Sequence, residues 1–125
     1  MNKTKILYVD DESINLMLFE ANLEKKYHIF TASDGLSGLN IINSESDIKV
    51  VLSDMKMPVM NGLEFIQKAR KVSPHICYYI LTGFEISYEI QQAINIGIIR
   101  RYFKKPFNMN EISSEIETVI NGFSK

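Results

Sequence analysis

Five short apolar runs, rich in β-branched and aromatic residues, alternate along this chain with five segments whose apolar residues recur at helical spacing. The runs lie at residues 5–10, 29–32, 50–53, 76–81 and 99–104, and the first lacks the in-out alternation of a strand that faces water on one side, and so suits a strand covered on both faces. Strand and helix alternating at this spacing is the signature of βαβ units. A parallel sheet with helices on both faces is the economical solution for it. Right-handed crossovers leave few topologies, and the order 2-1-3-4-5 predicts a doubly wound α/β sheet with its switch point between the first and third strands.

The helical segments carry their own punctuation. Over residues 12–26, Ile14, Met17, Leu18 and Ala21 form the predicted inward stripe, and Leu16, Phe19 and Leu23 widen it as further core. Ser33-Asp34-Gly35 caps a second helix carrying Leu36, Leu39 and Ile42, weakened by Gly35 and Gly38. Asn61 with Glu64 has the form of a capping box opening a third helix, whose Phe65, Ile66, Ala69 and Val72 face inward before Pro74. Ile86, Ile90, Ala93 and Ile94 fit a fourth helix ending near Gly97. Asn108 and Glu111 repeat the capping signature for a fifth, lined by Ile112, Ile116, Val119, Ile120 and Phe123.

Four of the apolar runs stop at residues able to handle a phosphoryl group or a divalent cation. Ile6 to Val9 ends in Asp10 and Asp11, Val50 to Ser53 in Asp54, Tyr79 to Leu81 in Thr82, and Tyr102 to Lys104 in Lys105-Pro106. Taken singly, an aspartate at a strand end is a cap or a turn residue and Lys-Pro is a surface turn. Gathered at the carboxyl edge of one sheet, they form a site. Three carboxylates repel one another unless a cation neutralises them. Oxygen donors without histidine or cysteine favour Mg²⁺ over zinc. Asp54 then suits the role of nucleophile toward phosphorus, with Mg²⁺, Lys105 and Thr82 as electrostatic partners for the equatorial oxygens.

The motifs Tyr8-Val9-Asp10-Asp11-Glu12, residues 53–62 from Ser53 to Gly62, Leu81-Thr82-Gly83 and residues 102–107 from Tyr102 to Phe107 resemble those of response-regulator receiver domains of two-component phosphorelays. The resemblance covers essentially the whole chain and implies a flavodoxin-like (βα)5 fold. It implies that Asp54 accepts a phosphoryl group from a phosphohistidine on a sensor histidine kinase or a histidine phosphotransfer protein. Asp11 and Asp54 would bind Mg²⁺ directly, Asp10 mainly through water, and the Lys56 backbone carbonyl would be a further ligand. Lys105 would contact the phosphoryl group from a cis Lys105-Pro106 bond, and Thr82 and Tyr102 would be the switch pair. The family's usual surface for dimers or partner domains is that of the fourth helix, fifth strand and fifth helix, where Arg100, Arg101 and Lys104 add basic charge.

Other readings fit less well. A haloacid-dehalogenase-like phosphotransferase wants Asp-x-Asp where this chain has Asp10-Asp11-Glu12, and no glycine-rich nucleotide loop is present. A receiver-like module that no longer accepts phosphate would not need the acidic and basic residues retained here. With 14 basic and 15 acidic residues, no footprint for direct nucleic-acid binding appears. Cys77, the single cysteine, is expected to be a buried free thiol, and no apolar stretch approaches the roughly 20 residues that span a bilayer. One domain over residues 1–125, cytoplasmic and not an enzyme in its own right, is the expectation. Phe84, two residues after Thr82, is expected to limit water access and lengthen the life of the phosphorylated form; His28 and His75 are expected at the surface.

Overall fold

The computed structural model describes residues 3–83, 86–106 and 108–123. Phe84, Phe107 and the side chain of Phe123, to which the sequence reading assigns a role, a motif and a helix face, lie outside the described residues. The strands are β1 (Lys5–Val9), β2 (His28–Ala32), β3 (Ile48–Asp54), β4 (Cys77–Thr82) and β5 (Arg101–Lys104). The helices are α1 (Ser13–Leu23), α2 (Gly35–Ser44), α3 (Gly62–Val72), α4 (Tyr88–Asn95) and α5 (Met109–Phe123). All strand pairings are parallel and the order is β2-β1-β3-β4-β5, as the alternation predicts.

Alternate residues of each strand enter two separate cores. Leu7, Val9, Val51, Tyr78 and Ile80 pack under α2, α3 and α4 through Ile42, Phe65, Ile66, Ala69, Ile90 and Ala93. Ile6, Tyr8, Val50, Leu52, Tyr79, Leu81 and Phe103 pack under α1 and α5 through Phe19, Leu23, Ile112, Ile116 and Val119. A sheet buried on both faces explains why its strands read as continuous apolar runs.

The capping signals are realised. Asn61 Oδ1 accepts from the Glu64 N–H at 2.9 Å while Glu64 Oε1 accepts from the Asn61 N–H at 3.0 Å, a complete capping box. Asp34 caps α2 by accepting from the Ser37 N–H, and Asn108 Oδ1 accepts from the Glu111 N–H at 3.1 Å. Gly97 adopts a positive φ of 84° just beyond α4. α4 itself opens later than its apolar spacing suggests. Ser87 caps it, which leaves Ile86 outside the helix as a side chain packed against the core.

Helix faces depart from expectation in three places. In α1, Phe19 and Leu23 are buried and Leu16 is half-buried, whereas Ile14, Met17, Leu18 and Ala21, the predicted inward stripe, are exposed. Two adjacent apolar stripes satisfy the same period, and the stacking of Phe19 on Tyr8 at 4.4 Å selects between them. Leu36 of α2 and Val72 of α3 are likewise exposed, each in a terminal turn of its helix. Cys77 is only partly buried, because it opens β4 at the sheet's margin. His28 and His75 are at the surface as expected.

Gly62 begins α3 against the end of β3. A Cβ there would overlap the Asp54 carbonyl oxygen and lie 2.8 Å from Ile80 Cδ1, so this helix approaches the strand only without a side chain. Gly122, in α5, faces open space. Urea unfolding is therefore expected to show Gly62→Ala destabilised by about 1–3 kcal/mol and Gly122→Ala stabilised by about 0.5–1 kcal/mol.

Candidate functional site

Strand register assembles the site. Val9 lies opposite Ser53, and Asp54 lies opposite Leu81, so the ends of β1, β3 and β4 form one edge, to which the turn after β5 is tied by the Lys105 N–H bond to the Thr82 carbonyl at 2.9 Å. Side chains alternate between faces along a strand. Asp10 follows the parity of Tyr8, Asp54 that of Leu52, and Lys105 that of Phe103, all on the α1–α5 side. Thr82 follows Ile80 on the α2–α4 side, and Tyr102, paired with Ile80, shares that face. Tyr102 is half-buried there.

Asp10 and Asp54 are buried, at 0% and 5% exposure, while Asp11 is exposed. One oxygen from each of the three carboxylates lies within 4.8 Å of the others. Lys105 Nζ stands 3.2 Å from Asp54 Oδ1 and 3.3 Å from Asp10 Oδ2. The Lys105-Pro106 bond is cis. Asp11, Asp54 and the lysine open onto a cleft of about 560 Å³, to which Glu12, Lys56, Thr82 and Gly83 also contribute.

The loop after β3 is tightly held. The Met55 N–H donates to the Leu81 carbonyl at 2.9 Å and the Gly62 N–H to the Met55 carbonyl at 2.8 Å. Between them the Met60 N–H donates to the Pro58 carbonyl at 2.7 Å around Val59, whose φ is +70°. A β-branched residue in that region is strained, and such strain persists where surrounding structure imposes it.

Burial raises the proton affinity of Asp54, against the opposing pull of the Lys105 charge; the neighbouring charges of Asp10 and Asp11 raise it further. For Lys105, burial acts to lower the pKa, but the charges and hydrogen bonds of Asp54 and Asp10 together outweigh it and the net shift is upward. Hard oxygen donors, an excess of negative charge and a raised carboxylate affinity fit a divalent cation such as Mg²⁺.

Every predicted site residue in the described part thus gathers at this edge, with Tyr102, the residue expected to pair with Thr82, on the flanking strand. Two residues that touch the site were missed. Tyr8 and Asn15 both donate to Asp10 Oδ2, the latter at 3.1 Å. The signal for Tyr8 was its place two residues before Asp10, on the same strand face. No comparable signal marks Asn15, whose reach depends on how α1 leaves the turn. Phe84 lies outside the described residues.

A doubly wound sheet bearing an acidic pocket and a lysine at its carboxyl edge is suited to divalent-cation and phosphoryl chemistry. The family model described as response regulator receiver domain matches residues 6–117. Sporulation initiation phosphotransferase F of Bacillus subtilis is 33% identical over 118 residues, covering 94% of each chain. A response regulator receiver domain protein from Clostridium thermocellum superposes with a TM-score of 0.89 at 33% identity, covering 97% of both chains. The response regulator TrrA of Thermotoga maritima, solved in complex with Mg²⁺-BeF, gives 0.79 at 27% identity, covering 93% of this chain and 98% of its own. The chain belongs to the response regulator receiver domain family of two-component signalling. Its pocket of Asp10, Asp11 and Asp54 is consistent with the phosphoacceptor aspartate and Mg²⁺ site of such domains.

Because Asp54 has a folded-state pKa above its unfolded value, its ionisation costs stability. That cost is absent below the unfolded pKa and grows as pH rises through the folded one. Lys105 works in the other sense, contributing stability that is fully present below its unfolded pKa and lost as pH rises through its raised folded value. Without divalent cation at neutral pH, Asp54→Asn is expected to raise the unfolding temperature by about 3–5 °C. Adding Mg²⁺ should stabilise the wild type and leave the variant nearly unmoved, as read by calorimetry.

Proposed function

We propose that residues 1–125 act as one receiver domain in which Asp54 is the phosphoacceptor, drawing its phosphoryl group from a phosphohistidine on a sensor histidine kinase or histidine phosphotransfer protein. The observation that carries this reading is Lys105 Nζ poised 3.2 Å from the buried Asp54 carboxylate at the mouth of an acidic cleft. In the transfer an Asp54 oxygen attacks phosphorus and the P–N bond of the donor breaks. Its electron pair returns to the imidazole, which leaves neutral where its other ring nitrogen already carries a proton and otherwise takes one from solvent.

Mg²⁺ would be held by Asp11, Asp54 and the Lys56 backbone carbonyl, with Asp10 contributing through water; when bound it supplies positive charge to the phosphoryl oxygens. Lys105 exchanges its contact with the Asp54 carboxylate for one with a phosphoryl oxygen, and the Thr82 hydroxyl donates to another. Tyr102, on the Thr82 side of the sheet, turns toward the space Thr82 leaves, which alters the surface of α4, β5 and α5. That surface is the place for a homodimer or a partner domain, with neither nucleic acid nor membrane engaged directly. Among the described residues no helix is long and apolar enough to cross a membrane, which accords with a cytoplasmic site of action. The chain catalyses only its own phosphorylation and slow dephosphorylation, and is in this sense not an enzyme acting on a separate substrate.

Incubation with acetyl phosphate and Mg²⁺ is expected to add a single phosphoryl group by intact mass, with none added to Asp54→Asn or in the presence of EDTA. Lys105→Ala should slow labelling by at least about tenfold, the weight of one charge-assisted contact. Labelling of Asp54→Asn at the wild-type rate would overturn the assignment.

A further inference from the structure

Asp10 is fully buried, and its Oδ2 accepts from three side chains at once: the Tyr8 hydroxyl, the Asn15 amide at 3.1 Å and the Lys105 ammonium at 3.3 Å. Its Oδ1 accepts from the Glu12 N–H at 2.9 Å. Tyr8 is itself fully buried, with its ring stacked on Phe19 of α1 and its hydroxyl brought to Asp10 by the two-residue repeat of the strand. Burial first, and then the hydrogen bond to Asp10, push the Tyr8 phenol far above its usual range, so it remains a neutral donor.

Resting on the phosphoacceptor reading above, we propose that Tyr8 is a positioning residue acting through Asp10. Its hydroxyl, together with the Asn15 amide, occupies Asp10 Oδ2, so that Lys105 is not captured by Asp10 and stays shared with Asp54 at the mouth of the cleft.

The distances support the sharing. An ammonium committed to one carboxylate sits about 2.7–2.9 Å from its oxygen. Lys105 instead holds two carboxylates at 3.2 and 3.3 Å, bound fully by neither. Two neutral donors on the same Asp10 oxygen draw off part of its charge and fill its lone-pair directions. Where water is largely excluded, the loss of one such donor strengthens the pull of that oxygen on the nearest cation. In a chain with phenylalanine at this position, Lys105 closes on Asp10 and leaves Asp54.

The Tyr8→Phe variant keeps the stacked ring and removes only the hydroxyl. In the metal-free protein with isotope-labelled lysine, the Lys105 side-chain resonance, identified by its loss in Lys105→Ala, is expected to shift in Tyr8→Phe; an unmoved resonance overturns the proposal. At saturating Mg²⁺, acetyl phosphate labelling of Tyr8→Phe is expected to be about tenfold slower than wild type. The same substitution placed on Lys105→Ala is expected to change nothing further, because the two residues act as one unit. Equal slowing in both backgrounds would assign Tyr8 a general structural role and overturn the proposal. Asn15→Ala removes another donor from the same oxygen and is expected to give the same background dependence, which keeps the test decisive if Tyr8→Phe folds poorly. Should Asp54→Asn label like the wild type, the phosphoacceptor reading fails, while the lysine resonance still judges Tyr8 without any phosphoryl group.

Discussion

The ammonium of Lys105, set between the carboxylates of Asp10 and Asp54, ties the turn after the last strand to the ends of the first and third. Two buried carboxylates in contact are tolerable only with a counter-charge, and a single lysine supplies part of it. Together with Asp11 they carry three negative charges against one positive. The surplus of two equals the charge of one divalent cation, which is why the pocket reads as half of a neutral assembly. On the proposed reading, arrival of a phosphoryl group would add negative charge at Asp54, which Lys105 and the cation would answer. The site is therefore poised by its charge balance, and the fold's task is to hold that balance in place.

The scaffold does so with parallel register and close backbone approach. β3 lies between β1 and β4, and the bonds from Met55 to Leu81 and from Lys105 to Thr82 extend the sheet pairing into the very loops that carry the site. Gly62 lets α3 start against the carbonyl of Asp54, while the strained turn at Val59 fits the loop into the short path left between them. Displacing any of these would shift the Asp54 carboxylate relative to Lys105, and electrostatic preorganisation of this kind is sensitive to small displacements.

Much of this was legible in the sequence, because the informative residues lie at ends of elements. Asp10, Asp54, Thr82 and Lys105 each follow an apolar run, and the capping pairs Asn61 with Glu64 and Asn108 with Glu111 fix where the next helices begin. What could not be read was the rotation of α1. Its stripe of Ile14, Met17, Leu18 and Ala21 obeys the helical period as well as the stripe of Leu16, Phe19 and Leu23, and the core built by other segments, the Tyr8 ring among them, decides between them. The same tertiary contact decides what touches Asp10. Periodicity within one segment cannot report a choice made by another segment.

Alternation of side chains across the sheet then separates the charged cluster from the pair Thr82 and Tyr102. Asp10, Asp54, Lys105 and Tyr8 all belong to the face under α1 and α5, where Tyr8 is enclosed and stacked and the polar groups are bonded. Thr82 and Tyr102 belong to the opposite face, under α3 and α4, where Tyr102 is only half-buried. Around β5, Arg100 and Arg101 are engaged within the chain, while Lys104 is exposed. Arg100 and Arg101 pair with Glu115, Arg101 also with Glu111, and the Tyr79 hydroxyl donates to Glu115 at 2.8 Å. The half-buried Tyr102 ring and the exposed Lys104 stand on the same strand, beside this network. On the proposed reading, a change at Asp54 would pass through Thr82 to the half-buried Tyr102 ring, because the other face is occupied with keeping the carboxylates and the lysine where they are.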